Sequence, residues 1–187
     1  MSETINNAEC NSSSYWAGDE ANKIVLMFSC PGRFEDNENK PVQGTTGKNL
    51  DAVLEILHDK SPTLFPTSDR YFYRIINSSD EIHYKLKDNK TESKNSTIVN
   101  SRNIQRIEQS INNKIMIIAF GEKAKLALSK CHLNCIQIDS CHLSNNNLNR
   151  NKDFRGMTQL QKFEKIAKNI YNQIKTHKAE ILERIEE

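Results

Sequence analysis

Short, almost wholly apolar runs recur along this chain with helical spacing between them, and that alternation limits the folds it can adopt. Residues 23–29 (KIVLMFS) form a continuous apolar run of the length of a strand buried on both faces, and Pro31-Gly32 ends it. Residues 71–77 (YFYRIIN), 114–120 (KIMIIAF) and 135–139 (CIQID) repeat the signature, being short, rich in β-branched or aromatic residues and bounded by polar ones. Between and after them lie helical stripes. Leu50, Val53, Leu54 and Leu57 form one, Ile104, Ile107 and Ile111 a second, and Ala124, Ala127 and Leu128 a third. Met157, Leu160, Phe163, Ile166, Ile170 and Ile174 mark a long final helix. The prediction is an α/β protein, a three-layer α/β/α sandwich around a mainly parallel four-stranded sheet.

At 187 residues the chain suits one domain with a real core. Residues 1–20 are rich in Asn and Ser and read as a flexible tail, with Tyr15 and Trp16 as its docking residues, ahead of a single domain over 21–187. Residues 79–100, rich in Ser, Lys, Asn and Asp, read as an exposed loop or insertion. No window approaches the length of apolar residues that spans a membrane, and the opening MSETINNAECNSSS lacks the basic and apolar regions of an export signal. A cytoplasmic protein without a membrane partner, and a monomer, is expected. Five cysteines, an odd number, then read as reduced thiols. Net charge is only +2, but residues 85–130 carry +6 and the rest −4. That bias suits a polyanionic partner and equally suits a solvated surface.

In an open parallel sheet, ligands bind beyond the carboxyl ends of the strands. The turns there are Cys30-Pro31-Gly32 with Arg33 to Asp36, then Asn77-Ser78-Ser79, Gly121-Glu122-Lys123, and Cys141-His142-Leu143-Ser144. Four polar or glycine-containing turns thus converge on one rim.

These turns resemble the motifs of the uracil-DNA glycosylase superfamily, most closely its thermophile-type branch. In FSCPGRFEDNENKPVQGTTGKNL the chain keeps Pro31, Gly32, Glu35, Asp36, Lys40, Pro41, Gly44, Gly47 and Leu50 in the family's order. Asn77 matches the asparagine that closes strand two, IIAFGEKAKLAL the strand ending in Gly before a helix, and His142-Leu143-Ser144 the family's His-Pro-Ser. The resemblance spans residues 23 to about 175. It implies a monofunctional glycosylase that flips an aberrant or modified pyrimidine out of DNA and hydrolyses its N-glycosidic bond, without a cofactor. It places His142, Asp36 and Glu35 in catalysis: the histidine donates to the departing base, and a carboxylate orients water and stabilises the sugar cation. Asn77, Cys30, Gly32 and Val42 would line the base pocket. Gly44, Gly47, Lys48, Gly121, Lys123 and Ser144 would hold DNA phosphates.

Departures from the pattern carry information. Cys30 and Ser29 stand where the family carries groups able to orient water, so the carboxylate must come from the following loop, or the chain binds DNA or a modified base without catalysis. Val42 replaces the stacking aromatic, and Gly32 stands where some members carry a Tyr that excludes substituents at pyrimidine C5. Both remove bulk. A bulky 5-substituted base, of the kind phage DNA carries, would fit, and the role would be repair or antiviral defence. The branch's iron–sulfur cluster needs a close amino-terminal cysteine pair, which Cys10 lacks, so no cluster is expected. Cys131, His132, Cys135, Cys141 and His142 lack a paired knuckle spacing, and no metal site is expected either. GTTGKN lacks the first glycine and the Ser or Thr of a phosphate loop, which excludes a nucleotide hydrolase of that type.

Overall fold

The computed structural model describes residues 11–186. In chain order the elements are β1 (Tyr15–Trp16), β2 (Ile24–Phe28), α1 (Arg33–Glu38), α2 (Gly44–Lys60), β3 (Arg74–Asn77), α3 (Lys85–Asp88), α4 (Asn95–Ile98), α5 (Ser101–Ile111), β4 (Met116–Phe120), α6 (Glu122–Leu128), β5 (Ile136–Ser140), α7 (Asn145–Arg150), α8 (Gln159–Thr176) and α9 (Lys178–Glu186). Strand order is β1-β3-β2-β4-β5, parallel throughout except for β1, which runs antiparallel to β3.

The sheet therefore has five strands, not the four expected. The extra one is Tyr15–Trp16, from the stretch read as a tail, and two residues are too few for any periodicity to reveal. Tertiary contacts make it a strand. Asn77 N–H donates to the Ser14 carbonyl (2.9 Å), Trp16 Nε1 to the Tyr71 carbonyl (2.8 Å), and the Tyr15 ring is buried. Cys10, named in the cluster argument, lies outside the described residues.

Side chains alternate along the strands with period two, and so divide between two cores. Leu26, Phe28, Ile75, Ile118, Phe120 and Ile138 join the stripes of α2 and α8 on one face. Val25, Met27, Ile76, Ile117 and Ala119 join α5 and α6 on the other. Every residue of β2 and β4 is buried, which is why these runs are apolar without alternation. Each of their Val, Leu, Ile, Met and Phe side chains contributes about 1.5–3 kcal/mol by leaving water. Two residues depart from the expected stripe: Met157 lies ahead of α8, and Leu160 is 61% exposed at its start.

Each flank of the sheet is partly capped by hydrogen bonds outside the ladder. The outward backbone groups of Tyr15 turn back on Ser12, which donates to the Tyr15 carbonyl (2.8 Å). On β5 a single side chain does the work, for Gln173 of α8 accepts from Asp139 N–H (3.0 Å) and donates to the Asp139 carbonyl (2.8 Å).

Residues 79–100 are not a simple exposed loop. They carry α3 and α4, and Ser79, Ser93 and Ile98 are buried. Glu35 and Asp36 likewise belong to a helix, α1, where loop was expected. Among the described residues no helix is long and apolar enough to cross a membrane.

Candidate functional site

Strand register sets the site. Phe28 pairs with Asn77 across β2 and β3, and Phe120 with Ser140 across β4 and β5, so these strands end on one rim. Hydrogen bonds then knit the turns together: Ser78 N–H and Ser79 N–H donate to the carbonyls of Phe28 and Ser29, and Gly121 N–H to that of Ser140. The turns enclose a cavity of about 350 Å³. Of the predicted residues, Cys30, Gly32, Glu35, Val42, Asn77, His142 and Ser144 line it. A second cavity of about 430 Å³ shares Ser29, Glu92, His142 and Asn147 with the first and adds Gly121, Lys123 and Arg150.

His142 stands between the two cavities. Ser144 N–H donates to its Nδ1 (3.1 Å), and an N–H can only donate, so Nδ1 carries no proton and the neutral ring bears it on Nε2. Burial holds its pKa below the ordinary imidazole value, which keeps the ring neutral at pH 7. Gly121 makes room for it. At φ +96° few other residues are at ease, and a Cβ there would sit 3.0 Å from His142 Cβ. Phe28 meets the imidazole edge-on (centroids 6.4 Å apart) and stacks on Phe120 (4.7 Å).

Asn77 is 2% exposed and held from three sides. Its N–H donates to Ser14, its carbonyl accepts from Arg106 Nη2 (2.8 Å), and its Nδ2 points at the Ser13 carbonyl (3.5 Å). Oδ1 has no hydrogen-bond partner among the described residues, on a side chain that lines the cavity. That oxygen opens onto the cavity and is free to accept from a donor there.

The loop wall is more constrained than its composition suggests. Glu35 Oε2 accepts from Gly32 N–H (3.0 Å) and Oε1 from Gln43 N–H (2.7 Å), so the carboxylate ties the start of α1 to the approach of α2. Val42 sits at φ +54°, an uncommon conformation for a β-branched residue. Gly47 is required just there, because a Cβ would overlap the Val42 carbonyl oxygen. Lys40 anchors the segment from outside, its Nζ 3.5 Å from the Tyr71 ring centroid and 4.3 Å from that of Trp16.

Several expected groups lie elsewhere or are already engaged. Asp36 is outside the cavity lining, near Tyr84 Oη (3.3 Å) and Lys87 Nζ (3.8 Å). Gly44 packs under Phe34, and Lys48 is exposed and lines neither cavity. The N–H groups of Gly47 and Gly121 donate internally, to the Gln43 and Ser140 carbonyls, so these two amides are not open to a phosphate. Lys123 lines the second cavity while donating to Asn95 Oδ1 (2.6 Å), and Ser144 caps α7. The basic segment does not form one face, since Lys114 is buried before β4 and Arg106 turns inward to Asn77.

Sequence reasoning missed Phe28, Thr91, Glu92, Asn146 and Asn147, all of which line the first cavity. Phe28 had a signal, as the last aromatic before the Cys-Pro-Gly turn. Thr91 and Glu92 had none, because 61 residues separate Cys30 from the Thr91 carbonyl that its Sγ approaches (3.8 Å).

Burial raises the pKa of all four described cysteines, Cys131 to about 12 and Cys135 to about 11, so they stand as thiols and not as thiolate nucleophiles. Among the described residues no group of three or more His, Cys, Asp or Glu side chains is placed to hold a metal ion. No protein-family model matches the sequence, and no curated protein matches it significantly.

Proposed function

We propose that this chain is a monofunctional DNA glycosylase that draws a modified pyrimidine out of the stack and hydrolyses its N-glycosidic bond. The supporting observation is one pairing of groups. A neutral histidine whose proton sits on Nε2, and a buried asparagine with an open acceptor, line a single cavity at the carboxyl ends of parallel strands. Loss of a pyrimidine from its sugar builds negative charge on the base, and a fixed Nε2–H donor stabilises that charge without first giving up a proton. Asn77 Oδ1 accepts from a ring or exocyclic N–H, and Phe28 offers an aromatic wall. The second cavity, with Lys123 and Arg150, suits the adjoining phosphate.

The fold that carries this site is the three-layer α/β/α sandwich, acting as a monomer on DNA without a cofactor. A cavity of about 350 Å³, narrowed by neither an aromatic at 42 nor a side chain at 32, favours a base with a bulky 5-substituent over plain uracil. The test is direct. Duplexes and single strands carrying uracil, 5-hydroxymethylcytosine or glucosylated cytosine are incubated with the protein and then cleaved by alkali at abasic sites. Breaks at the modified position are expected. Binding to these strands with no abasic site from any of them would replace the enzyme by a noncatalytic base-binding protein.

A further inference from the structure

Hydrolysis at the sugar carbon needs a carboxylate with an open oxygen facing the reacting atoms. Both oxygens of Glu35 are engaged by backbone N–H groups, and Asp36 lies outside the cavity. Only one other carboxylate lines the first cavity among its described residues: Glu92. It also lines the second, so it stands with His142 where the two cavities meet. Neither of its oxygens has a hydrogen-bond or ion-pair partner among the described residues.

Glu92 is exposed, yet its backbone is not adrift. Cys30 Sγ approaches the Thr91 carbonyl (3.8 Å), and Ser93 is buried at 3%. Beyond it, the Lys94 carbonyl accepts from Thr97 N–H and Ile98 N–H at the start of α4, whose Ile98 is fully buried and whose Asn95 is held by Lys123. The residue is therefore carried on a segment pinned at both ends, with only its side chain free to swing over the opening.

Resting on the glycosylase reading, we infer that Glu92, supplied by the segment between β3 and α5, is the catalytic carboxylate that orients and deprotonates the attacking water. The C1′–N bond breaks with its electron pair leaving on the base, whose charge His142 Nε2–H stabilises. The water oxygen bonds to C1′ and one water proton passes to the Glu92 carboxylate, then to solvent. The released base takes a proton from solvent, so the products are a free base and an abasic sugar.

The test compares wild type, Glu92→Gln and Glu92→Asp on the same uracil, 5-hydroxymethylcytosine and glucosylated-cytosine strands. It measures single-turnover excision and DNA affinity in parallel. Expected for Glu92→Gln is a roughly 100-fold or greater loss of excision rate, with affinity unchanged within about threefold. Glu92→Asp, which keeps a carboxylate, should recover part of the rate lost in Glu92→Gln. An active wild type with Glu92→Gln equally fast would overturn the assignment while leaving the glycosylase reading intact. A wild type that makes no abasic site on any strand would overturn both.

Discussion

The two walls of the cavity are held in different ways. Phe28, Asn77 and His142 stand at or just beyond strand ends, fixed by ladder register and by hydrogen bonds to neighbouring turns. Glu35, Val42 and Glu92 come from connecting segments, fixed by one carboxylate clamp, one strained backbone and one docked loop. The first wall inherits its precision from the sheet, whereas the second must be braced locally. Groups that recognise and polarise the base are thus expected on the rigid wall, and groups that meet water and set the pocket's width on the braced one.

Removing His142 tests the rigid wall most severely. His142→Ala should lower excision by about 10²–10⁴-fold with the melting temperature little changed, and unchanged single-turnover rates would break the assignment. Asn77→Ala is next. Loss of one buried hydrogen bond to the base should lower kcat/KM by roughly 10- to 100-fold, and a loss equal for every base tested would show that Asn77 only shapes the turn. On the braced wall, Glu35→Ala should act first on stability, by about 2 kcal/mol, because two backbone N–H groups lose their acceptor. Denaturant unfolding reads this, and an unaltered midpoint would show that the clamp is dispensable. Val42→Phe should act on selection alone, slowing the release of glucosylated cytosine relative to uracil by several-fold; equal processing of both bases would contradict the account of pocket width.

The smallest effect distinguishes the walls by pH. Burial lowers the pKa of His142 in the folded protein, so the unfolded chain takes up its proton first as pH falls. The stability associated with the neutral ring is complete above the ordinary histidine value of about 6.5 and is lost as pH drops from there toward the folded value. The melting temperature of wild type should therefore fall relative to that of His142→Asn between pH 7 and 5. Parallel curves would mean that the imidazole titrates as it does in water.

What could be read in the sequence follows the same division. Strands β2 and β4 were legible because a strand covered on both faces is apolar without interruption, β3 and β5 because their β-branched residues are bounded by polar ones, and the turns after them were legible because each ends such a run. Their order placed Asn77 and His142 on one rim. The braced wall was not legible. The positive φ of Val42 follows from Gly47 packing beneath it, the capture of Glu35 from two amides eight and three residues away, and the position of Glu92 from a contact across the fold. Strand β1 escaped for a related reason, since two residues acquire their extended form only by pairing with β3.

That two-residue strand and the Gln173 carboxamide have an effect far from the cavity. A parallel sheet rich in Ile, Leu and Met would offer unpaired backbone at each side to any passing strand, and such sides seed association between chains. Here one side turns back on Ser12 and the other finds its strand-like partner in a helix side chain. Colloidal behaviour at high concentration consequently hangs on a few hydrogen bonds. Gln173→Ala, a change remote from any chemistry, should uncover the Asp139 backbone and raise the tendency to associate, which light scattering at high concentration reads.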